Sequence, residues 1–98
     1  MRIQILDQAE RDLIDGYHFY ESQTSGLGSY FLTSLNSDIE LLRLNGGTHP
    51  KVNNYHRMVA HRFPFAIFYR VKDNTVFIRA VLDCRRNPAW IRERLRKS

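Results

Sequence analysis

The stretch Phe63–Pro88, FPFAIFYRVKDNTVFIRAVLDCRRNP, decides the fold. Its first arm alternates Phe65/Ile67/Tyr69/Val71 with Ala66/Phe68/Arg70, and its second alternates Val76/Ile78/Ala80/Leu82 with Phe77/Arg79/Val81/Asp83. A period of two over so many residues predicts two strands. Lys72, Asp73 and Asn74 between them supply the turn chemistry of an antiparallel hairpin. Successive side chains point to opposite faces, so one face of the hairpin is expected to be wholly apolar core. The other is expected to carry Phe68, Arg70, Phe77 and Arg79 outward as a working surface. Phe68 and Phe77 lying beneath a terminal helix, with Trp90 above them, is the competing reading of that second face.

The rest of the chain supplies cover for the apolar face. Met1–Leu6 alternates with Ile3 and Ile5 on one side and predicts a short first strand. Asp7 and Glu10 have the spacing of a capping box that opens a helix. Along it Ala9, Leu13, Tyr17 and Tyr20 form a core stripe, with Arg11, Asp12, Asp15 and Glu21 toward water. After the breaker-rich SQTSGLG of residues 22–28, a second stripe runs through Leu27, Phe31, Leu35, Ile39 and Leu42 and stops at Asn45, Gly46 and Gly47. Two helices joined so closely predict an antiparallel helical hairpin. Residues 48–54 read as a loop, and Tyr55–Phe63 as a strand that turns at Pro64. Asn87 and Pro88 are a cap and a first helical residue for a short C-terminal helix anchored by Trp90, Ile91 and Leu95. The expected fold is α+β: an N-terminal strand, an α-helical hairpin on a mainly antiparallel sheet of about four strands, and a terminal helix.

Ninety-eight residues, 43% of them hydrophobic, suffice for one domain over residues 1–98. No apolar run reaches the roughly 18 residues of a membrane span, and the charged start MRIQILDQAERDL leaves no room for a signal-peptide core. A cytosolic protein without membrane contact is expected. The single Cys84 fits a reducing compartment and reads as a half-buried filler rather than a catalytic thiol. Charge is strongly asymmetric: residues 1–50 carry three basic and seven acidic side chains, residues 51–98 twelve and three. Nine of those twelve are arginines, suited to planar bidentate contacts, so an anionic partner is expected for the second half.

Taken in order, AERDL (residues 9–13), YHFYESQTSGLGSYF (17–31), HRFPFAIFYRV (61–71) and VFIRAVLDCRRNP (76–88) resemble the ParE branch of the ParE/RelE toxin superfamily, over about Ile3 to Leu95. The resemblance implies a bacterial type II toxin held inactive by a cognate, ParD-like antitoxin, with operator DNA contacted only through that antitoxin. ParE-type toxins poison DNA gyrase, whereas RelE-type relatives cleave mRNA on the ribosome. Many relatives carry His where this chain has Asp83, and a carboxylate does not titrate near neutral pH as imidazole does.

That departure weighs on the chemistry. RNA cleavage needs a base, an acid and cations around the phosphorane. Arg62, Asp83 and Arg85 are the members such a site would have to use. His56 and His61 would face opposite sides of a regular strand. The four histidines and Cys84 show no metal-ligand spacing, and no Gly-rich nucleotide loop is present, so neither a metal nor another cofactor is expected. Recognition remains as the favoured activity, by a basic, aromatic surface comprising Phe68, Arg70, Phe77, Arg79, Arg85, Arg86, Trp90 and Arg94. A gyrase-binding toxin is the first expectation, a ribosome-dependent endonuclease the second, and a toxin-derived binding module without toxicity the third.

Overall fold

The computed structural model describes residues 1–97. In chain order it comprises β1 (Arg2–Ile5), α1 (Asp7–Gln23), α2 (Leu27–Asn45), β2 (Lys51–Val52), β3 (Tyr55–Val59), β4 (Phe65–Lys72), β5 (Thr75–Asp83) and α3 (Pro88–Arg96). The five strands form one sheet in the order β1-β5-β4-β3-β2. β1 runs parallel to β5 and every other pairing is antiparallel. No helix among the described residues is long and apolar enough to cross a membrane.

The fifth strand, β2, was not expected. It exists because Asn53 and Asn54 take left-handed φ values of 54° and 68°, the geometry of a two-residue hairpin turn whose twist matches the strands it joins. Asp73 and Asn74 do the same between β4 and β5, with φ of 51° and 58°. β3, in turn, is shorter than its alternating sequence suggests. It stops at Val59, and after a last bond from the Ala60 amide to the Phe65 carbonyl at 2.8 Å residues 61–64 leave the ladder before β4 begins. The capping box at Asp7 is also absent. Leu6 is the N-cap, held extended because its amide donates to Ile78 O at 3.0 Å, so Asp7 falls inside the first helical turn. There its carboxylate still favours the helix N-terminus through the dipole.

The α1–α2 hairpin closes one face of the sheet. Leu13, Tyr20, Phe31, Leu35, Ile39 and Leu42 meet Ile67, Tyr69, Val76 and Ile78 in the main core. The two helices approach closely at glycines: a Cβ on Gly16 would lie 2.5 Å from the Phe31 ring. Asp12 and Glu21, expected toward water, do not project freely. Asp12 is drawn to β5 and α3, and Glu21 accepts from the amides of Gly26 and Gly28 to tie the helical link. The opposite face carries a smaller core of Ala66, Phe68, Ala80, Leu82 and Leu95, covered by α3. As expected, that helix opens with Asn87 Oδ1 accepting from the Ala89 amide at 2.8 Å and Pro88 in its first turn.

Candidate functional site

Strand β5 changes face part-way along. Phe68 pairs with Ala80 but Tyr69 pairs with Ile78, so Arg79 has no partner opposite and forms a β-bulge. An inserted residue reverses the parity of everything after it. Val76 and Ile78 face the helical hairpin as expected, but beyond the bulge Val81 takes that face while Ala80 and Leu82 turn to α3. Strict alternation had placed these three the other way round.

The bulge also builds the junction between α1, β5 and α3. Asp12 Oδ2 accepts from the Val81 amide at 3.0 Å, and the same carboxylate pairs with Arg94 Nη2 at 2.7 Å. Burial pushes the Asp12 carboxyl above its ordinary range, and the Val81 amide and Arg94 work against that rise. Arg79, which was expected on an exposed surface, is buried at 7% exposure. Its guanidinium donates to Gln8 Oε1 at 2.6 Å and to the Arg94 carbonyl at 3.2 Å. Arg79 and Arg94 therefore dock α3 onto α1 and the bulge.

Beside this junction lies a groove of about 570 Å³ between α1 and the chain from β5 into α3. Phe19 and Trp90 stand on its walls, both partly exposed, with Arg86, Arg94, Asp15 and Asp83 among its polar groups. The Arg86 guanidinium lies 4.1 Å from the centre of the Trp90 ring, a cation–π contact that fixes both. Arg85 makes a two-pronged contact with Asp83, through Nε at 3.0 Å and Nη2 at 2.7 Å. That hydrogen bonding holds the Asp83 carboxyl below its ordinary range, so the group is ionised at neutral pH.

A chain of the solved structure "Chromosomal ParDE TA system from P. aeruginosa" aligns with this one at a TM-score of 0.72 and 18% identity, over 83% of this chain and 92% of its own. The fold is ParE-like. No protein-family model matches the sequence, and no curated protein matches it. The likeness therefore rests on the path of the backbone: a helical hairpin on a mostly antiparallel sheet with a terminal helix.

Within this ParE-like frame the expected surface separates into parts. Phe68 is buried under α3, as the competing reading had it, but Leu95 and Ile91 pack there rather than Trp90. Phe77 is half-buried beside Arg2 and Gln4 near the β1 edge. Arg70 is exposed and stacks on Tyr55 at 4.2 Å. Arg86, Trp90 and Arg94 line the groove together with Asp83, to which Arg85 is paired. Of the residues weighed for RNA cleavage, Asp83 and Arg85 are joined, whereas Arg62 lies over the Tyr30 ring of α2, 5.9 Å from its centre. Cys84 is half-buried and receives an N–H from Arg57 at 3.4 Å.

Two polar clusters escaped sequence reading. His61, freed from β3, donates its backbone N–H to Asp38 Oδ2 at 3.1 Å and sets its ring Nδ1 2.5 Å from Asp38 Oδ1. The signal was available: Asp38 interrupts the buried stripe between Leu35 and Leu42. The fully buried Tyr69 hydroxyl accepts from Gly47 N–H at 3.0 Å and lies 2.6 Å from His49 Nδ1, while the His56 ring stacks on the phenol. Desolvation holds His49 below its ordinary pKa and Tyr69 above its own. Among the described residues no three His, Cys, Asp or Glu side chains are placed to hold a metal ion.

Proposed function

We propose that residues 1–98 form a single ParE-like toxin domain, one half of a toxin–antitoxin pair, which acts in the bacterial cytoplasm by binding DNA gyrase and is neutralised by a cognate ParD-like antitoxin. The observation that carries this reading is the groove beside α3, set in a ParE-like fold: exposed Phe19 and Trp90 supply apolar anchors, Arg86 supplies charge in its lining, and Arg85 is paired with the lining Asp83. Partly exposed aromatic and arginine side chains around a concavity are the usual centre of a protein interface. Binding, rather than catalysis, also suits Asp83. Its carboxylate is held ionised by Arg85 and is a poor proton donor at neutral pH.

The deciding experiment is pulse induction of this chain alone in a bacterial host, with DNA and protein synthesis followed in parallel by labelled precursors. DNA synthesis falling first, with gyrase-linked breaks, is the expected result. Protein synthesis falling first would replace the reading with ribosome-dependent RNA cleavage. The charge-reversed variant Arg85→Glu/Arg86→Glu should fold normally and lose toxicity, because both side chains are exposed and neither supports the core.

A further inference from the structure

The other flank of α3 has a different character. Between the β2–β3 turn and this helix lies a cleft of about 430 Å³ lined by Asn53, Asn54, Tyr55, Arg70, Arg92 and Arg96, with the buried Leu95 at its base. Three guanidinium groups from two separate elements converge there, and among the described residues no carboxylate lines it. Arg70 is held by its stacking on Tyr55 and by Nε donating to the Asn54 carbonyl at 3.3 Å, which leaves its Nη donors for a ligand. Arg92 and Arg96 lie one helical turn apart, so their charges are spaced by about 6 Å along the helix axis. Arg96 has an exposed ion pair with Glu93, of the kind that competes weakly with a polyanion.

We infer that this cleft binds the sugar–phosphate backbone of single-stranded nucleic acid, independently of what occupies the groove on the other flank. Three observations select that ligand. The lining is cationic without acidic counterparts, so a polyanion is favoured electrostatically. Leu95, the one aliphatic side chain of the lining, is buried, and Tyr55 already carries Arg70 on its ring, so the cleft offers a ligand mainly cations, in contrast to the exposed Phe19 and Trp90 of the groove. The cleft combines arginines with an aromatic ring, the combination of single-strand-binding grooves. This places a nucleic-acid contact on Arg70, Arg92 and Arg96, away from Arg62, Asp83 and Arg85, the residues weighed for RNA cleavage, whereas operator DNA was expected to be contacted only through an antitoxin.

The test is fluorescence anisotropy of a labelled short oligothymidylate titrated with the whole chain over a range of salt concentrations. With three phosphate contacts the slope of log K against log salt should be about −2, at roughly −0.7 per contact for single strands. Arg92→Gln/Arg96→Gln should weaken binding by about tenfold or more at low salt and reduce the slope to about −0.7. The variant Arg2→Gln/Arg11→Gln removes the same net charge elsewhere and should change affinity by less than about twofold if the cleft is the site. Arg92→Gln alone, whose side chain is exposed, gives an intermediate slope and serves if the double variant is poorly folded. The inference is overturned if low-salt binding is absent, or if both double variants lose affinity equally. It is also overturned if a duplex binds as tightly as the single strand, or if polyglutamate of matched charge competes as well as the oligonucleotide.

Discussion

The two faces of the sheet are closed on very different scales. Against one lie α1 and α2, of 17 and 19 residues, and against the other lies α3 alone, of nine. Under the long hairpin, polar groups are locked into fixed pairs such as Asp38–His61 and Tyr69–His49. At the short helix the core is five buried residues, Leu95 of α3 among them. The groove with its aromatic anchors opens between α1 and α3 at the bulged end of β5, and the cleft with its arginines lies between α3 and the β2–β3 turn. The larger core fixes the fold, and the borders of the short helix leave concave surface available for partners.

The comparison can be tested by weakening one face at a time. Phe31→Ala, on the larger face, removes a fully buried ring at the helix crossing and should cost about 4 kcal/mol in urea unfolding. Leu95→Ala, on the smaller face, should cost about 2.5 kcal/mol. Its effect should be local: hydrogen exchange of α3 amides accelerates while α1 and α2 keep their protection. Equal loss of protection in all three helices would show that the two faces form one cooperative unit.

Arg94→Met probes the link between the faces. It leaves the largely buried Asp12 carboxylate with the Val81 amide but no cation, and should cost about 2 kcal/mol at neutral pH. Asp12 binds its proton more tightly folded than unfolded, so stability falls as pH rises from about 3.8 through the folded pKa. Removing Arg94 raises that folded pKa further. The penalty measured by chemical denaturation should therefore shrink as the solution is acidified, and a penalty independent of pH would count against an uncompensated Asp12 charge.

The smallest expected effect belongs to His49 on the larger face. Its folded pKa lies below the ordinary 6.5, so the folded state binds fewer protons than the unfolded chain across that interval. The associated stability is present above pH about 6.5 and is lost as pH falls toward the folded pKa. Thermal melting between pH ~7.5 and ~5.5 should show a shallow decline that His49→Gln removes. An unchanged decline in that variant would move the effect to another histidine.

Element types were largely legible because each is written in local pattern. The β4–β5 alternation, the helical stripes of α1 and α2, and the Asn87–Pro88 start of α3 all appear where the periodicity and capping residues put them. The site was far less legible. Four of the residues expected on one surface, Phe68, Arg70, Phe77 and Arg79, ended in four different environments. One bulge accounts for Arg79, the unpaired residue itself, which is drawn to Gln8 and the Arg94 carbonyl. The placement of α3 accounts for the rest, since it covers Phe68 and leaves Arg70 beside an open cleft.

By itself the sequence determined which of the longer segments are helix and strand, that one face of the β4–β5 hairpin would pack into the core, and that cations would concentrate in the second half. These depend on residue order at distances of two to four positions, or on composition alone. Only the tertiary structure decided that Arg79 and Arg94 would be structural, that Arg86 would stack on Trp90 beside a groove, and that Arg70 would meet Arg92 and Arg96 across a cleft. Each of those outcomes depends on where a bulge falls and how a nine-residue helix lies on the sheet. No periodicity encodes them, because the partners are brought together by packing between distant parts of the chain.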